Sequence, residues 1–395
     1  MTNAIIILIA SLLLLSLLIE ISLRLAGVVF PGSFYSNDPD VGWAFRPGSH
    51  GWHLGEGKFN IRVNRHGFFD HNHAVEKPKN TFRIAMMGDG YAEATNVAMK
   101  DSVGVILQEK LLSNLQKSGK HLSIEIMNFA VSGYGTAQTL LTYKRDVEKY
   151  SPDIVLLAFY TGKNIFTNYR QINSASEADI TPYFICKEGQ LVLQNVFRNT
   201  RTFSKRYRFA SNLFGNIQNQ SRFIQMTMKW VRRFRTKSKS QAPISSASAI
   251  SAENHDALIY TEPKTQEMKE AWRVTEGILL MMNDAVCKQG AKFYIATLTN
   301  RPQVHPDENE RKAFMARFGI DTLFYPDMRL TSFAEKAGIP ITTLVIPMAA
   351  YAKAHNLFLN GGQKEMPFGS GHWNETAHHL AGEILADDIF AKFLQ

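Results

Sequence analysis

The chain has 395 residues, of which 45% are hydrophobic, 11% aromatic and 20% charged. This composition excludes a disordered chain, a collagen and a coiled coil, and it supplies enough apolar mass for a large core. Its two cysteines exclude a disulfide framework and a cysteine-based zinc site. The formal charge of +9 at first suggests a nucleic-acid partner, and whether it indicates one depends on where the charge lies along the chain.

Residues 1–30 are predicted to form a transmembrane anchor. Residues 4–19 carry no charge, and the apolar character continues past Glu20 and Arg24 to Phe30. Glu20 and Arg24 stand four residues apart on a helix, so they can pair at the membrane interface. The alternative is a cleaved signal peptide, but no Lys or Arg precedes the apolar run and no small-x-small cleavage pattern follows it. We therefore expect a retained single-pass anchor that holds residues 4–30 in the lipid bilayer.

Residues 31–80 are predicted as an irregular lead-in, because they are rich in Gly, His, Asn and aromatic residues. Residues 81–395 alternate apolar runs with amphipathic ones, which predicts an α/β domain with a three-layer, doubly wound parallel sheet. The predicted strands are 83–87, 124–131, 153–160, 291–298 and 341–346. The predicted helices are 102–118, 137–150, 265–289, 329–337 and 375–393. In such sheets the ligand binds beyond the carboxyl ends of the strands.

Residues 198–254 form a basic, aromatic insertion in this domain. Twelve Lys and Arg residues lie between 198 and 239 with no Asp or Glu, so the rest of the chain has a charge of about −3. Phe223, Met226, Trp230 and Phe234 recur at helical spacing, and residues 237–254 are typical of a linker. Two interpretations stay open. The segment is a solvated insertion on its own domain, or it contacts anionic lipid through Arg222, Lys229, Arg232, Arg233 and Arg235. No nucleic-acid motif accompanies the charge, so we expect no nucleic-acid partner.

Four segments at predicted strand ends and before the last helix carry the polar residues of interest. They are residues 88–94 (GDGYAEA), 128–136 (NFAVSGYGT), 159–164 (FYTGKN) and 369–379 (GSGHWNETAHH). In this order and spacing they resemble the SGNH (GDSL-type) hydrolase family. They look most like its membrane-anchored bacterial envelope members, in which an Asn-x-x-Gly-Phe stretch, here Asn64 to Phe68, leads into the first block. The resemblance covers about residues 60–395.

The resemblance implies an SGNH or flavodoxin-like hydrolase fold that hydrolyses or transfers acyl esters on carbohydrate-type substrates without a cofactor. A serine attacks the ester in such enzymes, and a histidine takes its proton. His372 matches the family's base, and Gly133 and Asn164 match its oxyanion donors. His372 on its own is also typical of a hydrogen-bonded histidine at a helix start. The histidines offer no His-x-x-x-His or Glu-x-x-His spacing with a nearby carboxylate partner, so we expect no metal site.

The sequence departs from this pattern at the position of the nucleophile. Gly90 stands where the family has its serine, and loss of a triad nucleophile costs on the order of 10⁶ in turnover. Ile165 replaces the Asp that follows the oxyanion Asn, and Lys163 stands at that Asn in an alternative alignment. Gly369 and Ser370 occupy the positions of the Asp before the histidine. The sequence therefore predicts an SGNH-type fold with catalysis lost or severely weakened, whose crevice would still bind an acylated glycan or regulate an active partner.

Two rival hypotheses remain open. In one, the chain is an active esterase with a displaced nucleophile; Ser132 is the candidate, although a turn serine that bonds its own backbone is the plainer interpretation. Asp89 could also act with His372 as a base on water, but the family gives that aspartate structural hydrogen bonds. In the other, the chain is a non-catalytic membrane scaffold in envelope polysaccharide assembly. The resemblance implies a main domain outside the cytoplasm, whereas Arg24 after the apolar helix favours the opposite orientation.

Overall fold

An apolar helix begins the chain in the computed structural model, which describes residues 2–173, 180–206, 215, 217–237, 257–362 and 366–395. This helix, α1 (Thr2–Leu25), is long and apolar enough to cross a membrane, and its central leucines and isoleucines are exposed. A helix of this kind near the N-terminus is typical of both a membrane anchor and a signal sequence. The predicted helix is thus confirmed, while its retention as an anchor stays a prediction.

The lead-in contains two short antiparallel hairpins, which corrects the prediction of irregular structure. Strand β1 (Tyr35–Asp38) pairs with β2 (Gly42–Phe45), and β3 (His50–His53) pairs with β4 (Phe59–Arg62). Each strand has only four residues, and polar residues and glycines interrupt the apolar ones, so the sequence shows no run that a strand pattern would identify. The loop between β3 and β4 holds Glu56.

A parallel sheet of five strands forms the centre of the main domain. The strands are β5 (Thr81–Gly88), β6 (Ser123–Asn128), β7 (Ile154–Tyr160), β10 (Lys292–Leu298) and β11 (Ile341–Thr343). They lie in the order β6-β5-β7-β10-β11, and every neighbouring pair is parallel. This is the doubly wound order of the flavodoxin-like folds, in which the direction of winding reverses beside the first strand. It confirms the predicted fold class and places the crevice at the ends of β5 and β7.

Both faces of the sheet are buried under helices. On β5, Ala85 and Met87 face one hydrophobic cluster while Ile84 and Met86 face another. The helices are α2 (Gly90–Glu93), α3 (Val103–Lys117), α4 (Thr136–Thr142), α5 (Asn164–Thr167), α6 (Arg201–Arg206), α7 (Arg222–Lys237), α8 (Gln266–Lys288), α9 (Glu308–Phe318), α10 (Tyr325–Ala337), α11 (Val345–His355) and α12 (Glu375–Ile389). Shorter helical turns lie at Met99–Asp101, Tyr143–Val147, Glu148–Tyr150, Val196–Asn199, Leu258–Tyr260 and Phe390–Leu394. Burial on both faces explains why the strands read as continuous apolar runs.

Several elements differ from the predictions, among them α11, which was not predicted. The last predicted strand, 341–346, ends at Thr343 because Leu344 already caps α11, whose first turn accommodates Pro347. Helix α9 was not predicted because none of its residues is buried, so its sequence has no apolar stripe. A hairpin of β8 (Tyr183–Lys187) and β9 (Gln190–Gln194) was also not predicted.

The basic insertion contains α7, which begins against the end of α1. Helix α7 confirms the helical spacing predicted for Phe223, Met226 and Trp230. Arg222 donates to the carbonyl oxygens of Leu23 and Val28, so its guanidinium is engaged within the protein. Lys229 lies 5.8 Å from the centre of the Phe30 ring. The side chains of Arg232, Arg233, Phe234 and Arg235, and most of the predicted linker at 237–254, lie outside the described residues.

Candidate active site

A carboxylate from the lead-in orients the predicted base. His372 lies three residues before α12, in a loop that the Asn374 cap joins to that helix. Glu56 accepts two hydrogen bonds from His372, one from the backbone N–H and one at Nδ1, each at 2.7 Å. A proton on Nδ1 leaves Nε2 as the lone-pair nitrogen that can accept a proton. His372 and Glu56 are therefore arranged as the base and the carboxylate of a triad are.

The pKa values of this pair move apart, as expected for an ion pair. Burial lowers the pKa of His372, but the hydrogen bond and the charge of Glu56 outweigh it, so the pKa is raised above its ordinary value. Burial raises the pKa of Glu56, and the hydrogen bonds from His372 outweigh it, so the net pKa is lowered. The pair is thus poised to stabilise a protonated imidazole.

The Nε2 atom of His372 and the hydroxyl of Ser132 converge on Gly90. A Cβ atom added to Gly90 would stand 2.7 Å from His372 Nε2 and 2.9 Å from Ser132 Oγ. A side chain at position 90 would therefore require the histidine or the serine to move. The space in front of Gly90 is thus occupied by a hydroxyl oxygen, Ser132 Oγ, and a ring nitrogen, His372 Nε2, which are the atom types of a nucleophile and its base. No hydrogen bond joins Ser132 Oγ to His372 within the described part of the chain.

Ser132 is held from both sides through its backbone. Its N–H donates to Glu93 Oε2 at 2.5 Å, and its carbonyl oxygen accepts from Trp43 Nε1 at 3.1 Å. Trp43 comes from β2 and is fixed in turn by Tyr134, whose hydroxyl donates to the Trp43 carbonyl. This bracing of the loop after β6 fixes where the Ser132 side chain starts. The plainer interpretation was a turn serine whose hydroxyl bonds its own backbone. The described contacts include no such hydrogen bond for Ser132.

Asp89 and Glu93 are buried acids beside the site. Asp89 is 5% exposed, caps α2 and accepts from the Tyr91 N–H at 3.1 Å, which is the structural role that the resemblance implies. Burial raises the pKa of Asp89. Glu93 is 1% exposed, and burial raises its pKa to about 7 although the Ser132 N–H and the Tyr35 hydroxyl donate to it. Neither acid contacts His372 through a hydrogen bond among the described residues.

The two predicted oxyanion donors lie in different settings. Gly133 directly follows Ser132 at φ +83°, a conformation that favours glycine, and a Cβ there would stand 3.0 Å from the Trp43 ring. Asn164 is the first residue of α5 and is 3% exposed. Its Oδ1 has no hydrogen-bond partner within the described part of the chain. The structure thus places Gly133 beside the serine and leaves Asn164 buried, without a contact that ties it to His372.

Rings connect the site to the end of the central strand. The Tyr91 ring lies 4.8 Å from the His372 ring, and the Tyr160 ring lies 4.4 Å from Tyr91. Tyr160 is the last residue of β7, so the crevice extends from His372 along the carboxyl edge of the sheet. Within the described ranges, no group of three His, Cys, Asp or Glu side chains is placed to hold a metal ion.

Of the predicted site residues, the structure brings Gly90, Ser132 and His372 together, with Gly133 and Asp89 directly beside them in the chain. Glu56 was not predicted. It lies 316 residues before His372, in a hairpin loop that belongs to none of the four blocks. The signal that could have pointed to it is the lack of an acid just before His372, since a triad histidine needs a carboxylate from elsewhere in that case.

Comparisons with known proteins give similarity at the level of solved structures. No family model matches the chain, and no curated protein matches it. The acetyl xylan esterase AlAXEase is similar at 12% identity and a TM-score of 0.37, over 79% of this chain and 100% of that one. The lipase/acylhydrolase from Enterococcus faecalis is similar at 11% identity and a TM-score of 0.36, over 79% and 96%.

A lipolytic protein assigned to the G-D-S-L family, from Desulfitobacterium hafniense, is similar at 10% identity and a TM-score of 0.34, over 77% of this chain and 98% of that one. Its description names the family that the four sequence blocks resemble. The fold itself is shown by the strand order.

Proposed function

We propose that this chain is a membrane-anchored ester hydrolase or acyl transferase of the SGNH type, in which Ser132 replaces the missing nucleophile. The observation that carries the proposal is that His372 Nε2 and Ser132 Oγ both lie in front of Gly90. The other ring nitrogen of His372, Nδ1, is hydrogen-bonded to Glu56. A histidine that had lost its function would not need a partly buried carboxylate to orient it, because removing that charge from water has a cost.

The chemistry follows from these three side chains. His372 Nε2 takes the proton of the Ser132 hydroxyl, and Oγ attacks the ester carbonyl. The Glu56 carboxylate stabilises the imidazolium, which then protonates the leaving alcohol. Water or a second hydroxyl attacks the acyl-serine with His372 again as base, which returns the free serine. Hydrolysis and acyl transfer differ only in this last acceptor.

The oxyanion would be stabilised by donors at the neighbouring strand ends. The Gly133 N–H follows the nucleophile directly, as in other serine hydrolases, and the Asn164 amide is the second candidate. Each such donor contributes about 3–4 kcal/mol to the transition state. The acylated carbohydrate as substrate comes from the sequence resemblance, and so does a main domain outside the cytoplasm.

A second candidate function is a protein that binds such an ester without hydrolysing it. The absence of a side chain at Gly90 favours it, and so does the missing hydrogen bond between Ser132 Oγ and His372 in the described structure. In this case the His372 and Glu56 pair would serve to bind the ligand, and the chain would regulate an active partner or act as a scaffold.

To distinguish the two candidate functions, we would measure the turnover of 4-nitrophenyl acetate by the purified full chain in detergent. We expect turnover by the natural sequence, and a loss on the order of 10³-fold or more in both Ser132→Ala and His372→Ala, because triad members act as a unit. Ser370→Ala is the matched control, since its hydroxyl donates to the Pro367 carbonyl near the same loop.

Labelling identifies the nucleophile independently. A fluorophosphonate should add to Ser132, as detected by peptide mass spectrometry, and the adduct should be absent in His372→Ala. Natural chain that neither turns over the ester nor becomes labelled would establish the second candidate instead. Turnover that survives Ser132→Ala would show that another group attacks.

A further inference from the structure

A cavity of about 440 Å³ opens beside the candidate active site. Tyr160 and Gly162 from the end of β7, and Asn300 and Arg301 from the segment after β10, form its inner wall. Helix α9 forms the opposite wall. The cavity therefore lies at the carboxyl edge of the sheet, where doubly wound folds bind their ligands, and its size suits a small organic ligand.

The charged residues of this cavity are mostly cationic. Arg301, Arg311 and Arg317 line it, against Glu310 as the acid among its lining residues. Arg311 donates to the His305 carbonyl at 2.7 Å, which fixes the guanidinium at the wall and leaves further N–H groups for a ligand. Guanidinium groups bind carboxylates and phosphates through paired hydrogen bonds, so this wall is complementary to an anion.

Aromatic rings line the same cavity. Tyr260 and Phe314 meet edge to face with ring centres 6.0 Å apart, and Tyr160 begins the series of rings that leads through Tyr91 to His372. Such rings offer apolar faces for a sugar ring, while Asn300 and the arginines offer polar atoms. Arg301 also lies close enough to Glu56 to act on its charge, so the cavity and the triad carboxylate are neighbours.

We infer that this cavity binds a saccharide that carries a negative charge, a carboxylate or a phosphate, and positions its acyl ester at His372. The inference rests on the proposed function for the ester, and it adds the charge of the substrate. Neutral acylated sugars would offer no anionic group to Arg301 and Arg311.

The experiment measures the binding of three probes to the purified full chain by calorimetry. The probes are a galacturonate tetrasaccharide, the neutral xylotetraose and glycerol phosphate. We expect galacturonate to bind at least about fivefold more tightly than xylotetraose, and the preference to shrink as NaCl rises from about 50 to about 500 mM, since salt screens charge pairs. Competition by glycerol phosphate would extend the site to phosphate-bearing glycans, and no competition would restrict it to carboxylates.

Substitutions on α9 locate the site. Arg311→Gln and Arg317→Gln should each weaken galacturonate binding about tenfold, the scale of one charge-assisted hydrogen bond. Lys312→Gln removes the same charge from the same helix but does not line the cavity, so it should bind as the natural chain does. Equal affinity for galacturonate and xylotetraose, or equal losses in all three variants, would overturn the inference. These results differ from a failure of the proposed function. In that case the chain would not turn over 4-nitrophenyl acetate, while its preference for the anionic saccharide would persist.

Discussion

The carboxylate of Glu56 holds His372 by two atoms, and this pair makes a prediction about pH. As a base, His372 must be deprotonated, so kcat/KM should rise with pH through its pKa, which lies above the ordinary 6.5. In Glu56→Gln the charge that raises this pKa is gone, so the acidic limb of the pH profile should move to lower pH. The maximal rate should fall by roughly 10³–10⁴, as for loss of a triad carboxylate.

The measurement is the pH dependence of 4-nitrophenyl acetate hydrolysis from pH 5 to 9 for Glu56→Gln beside Glu109→Gln, an exposed acid on α3. The control should keep the natural profile. An acidic limb that stays in place in Glu56→Gln would show that Glu56 does not set the charge state of the base.

Some residues of the candidate site could be predicted from the sequence, and others could not. Gly90 and Ser132 could be predicted to meet because parallel strands end at one edge of a sheet, and His372 before the last helix was added by the family resemblance. Glu56 could not, because a short loop between two four-residue strands carries no period and no motif. The position of Ser132 also depends on Trp43, whose contact with the Ser132 carbonyl exists only after the lead-in has folded onto the domain, and on Glu93 of α2.

At the scale of elements, Glu20 joins the apolar helix to the basic one. Its Oε2 accepts from the Phe223 N–H at 2.8 Å and from the Ser221 hydroxyl at 3.0 Å, while Arg24 donates to its Oε1. Glu20 thus caps the start of α7, where a negative charge is favourable. If α1 spans a bilayer, this cap fixes α7 at the depth of the membrane interface.

We propose that α7 contacts anionic lipid from this position. Trp230 is 62% exposed on α7, and the sequence adds Arg232, Arg233 and Arg235 directly after it. The chain has five tryptophans, so the emission of Trp230 is obtained by subtracting the spectrum of Trp230→Phe from that of the natural chain. In bilayer nanodiscs, this emission should shift to the blue when phosphatidylglycerol replaces phosphatidylcholine. The triple variant with Gln at the three arginines should lose this shift.

Glu20→Ala is the structural control for that experiment, since it removes the cap but none of the cations. It should speed hydrogen exchange at the first turn of α7 and reduce the shift. A Trp230 signal that does not respond to lipid charge in the natural chain would favour the other interpretation, an insertion that serves its own domain.

The elements themselves were predictable to the extent that burial shaped their sequence. Strands β5, β7 and β10 are covered on both faces and were predicted within two residues at each end. Helix α9 buries none of its residues, so its sequence carries no apolar stripe. The lead-in hairpins have strands of only four residues, which are too short for an alternating pattern to identify. The end of β11 depends on a choice between strand and helix for Leu344 to Ile346, which local sequence leaves undecided.

For the whole molecule, the net charge of +9 is concentrated in one segment of the chain. The basic insertion holds twelve of the cations, and the rest of the chain is slightly acidic. Some acidic groups are buried within the domain, as Asp89, Glu93 and Asp327 show, each with a pKa that burial raises. Buried acids of this kind connect folding to pH, because they are harder to ionise in the folded chain than in the unfolded one.

Glu93 gives this connection a sign and a size. Its pKa is about 7 in the folded chain against 4.5 as the ordinary value, so the folded state binds the extra proton between these values. The folded state therefore loses stability as pH rises from about 4.5 to about 7, by roughly 3 kcal/mol in total, and the loss is constant above that range. Glu93→Gln cannot ionise, so the fall in thermal midpoint between pH 5 and pH 8 should be smaller in the variant than in the natural chain. Glu109→Gln, at an exposed position, should keep the natural slope; an unchanged slope in Glu93→Gln would mean that hydrogen bonds from Tyr35 and Ser132 hold Glu93 ionised throughout.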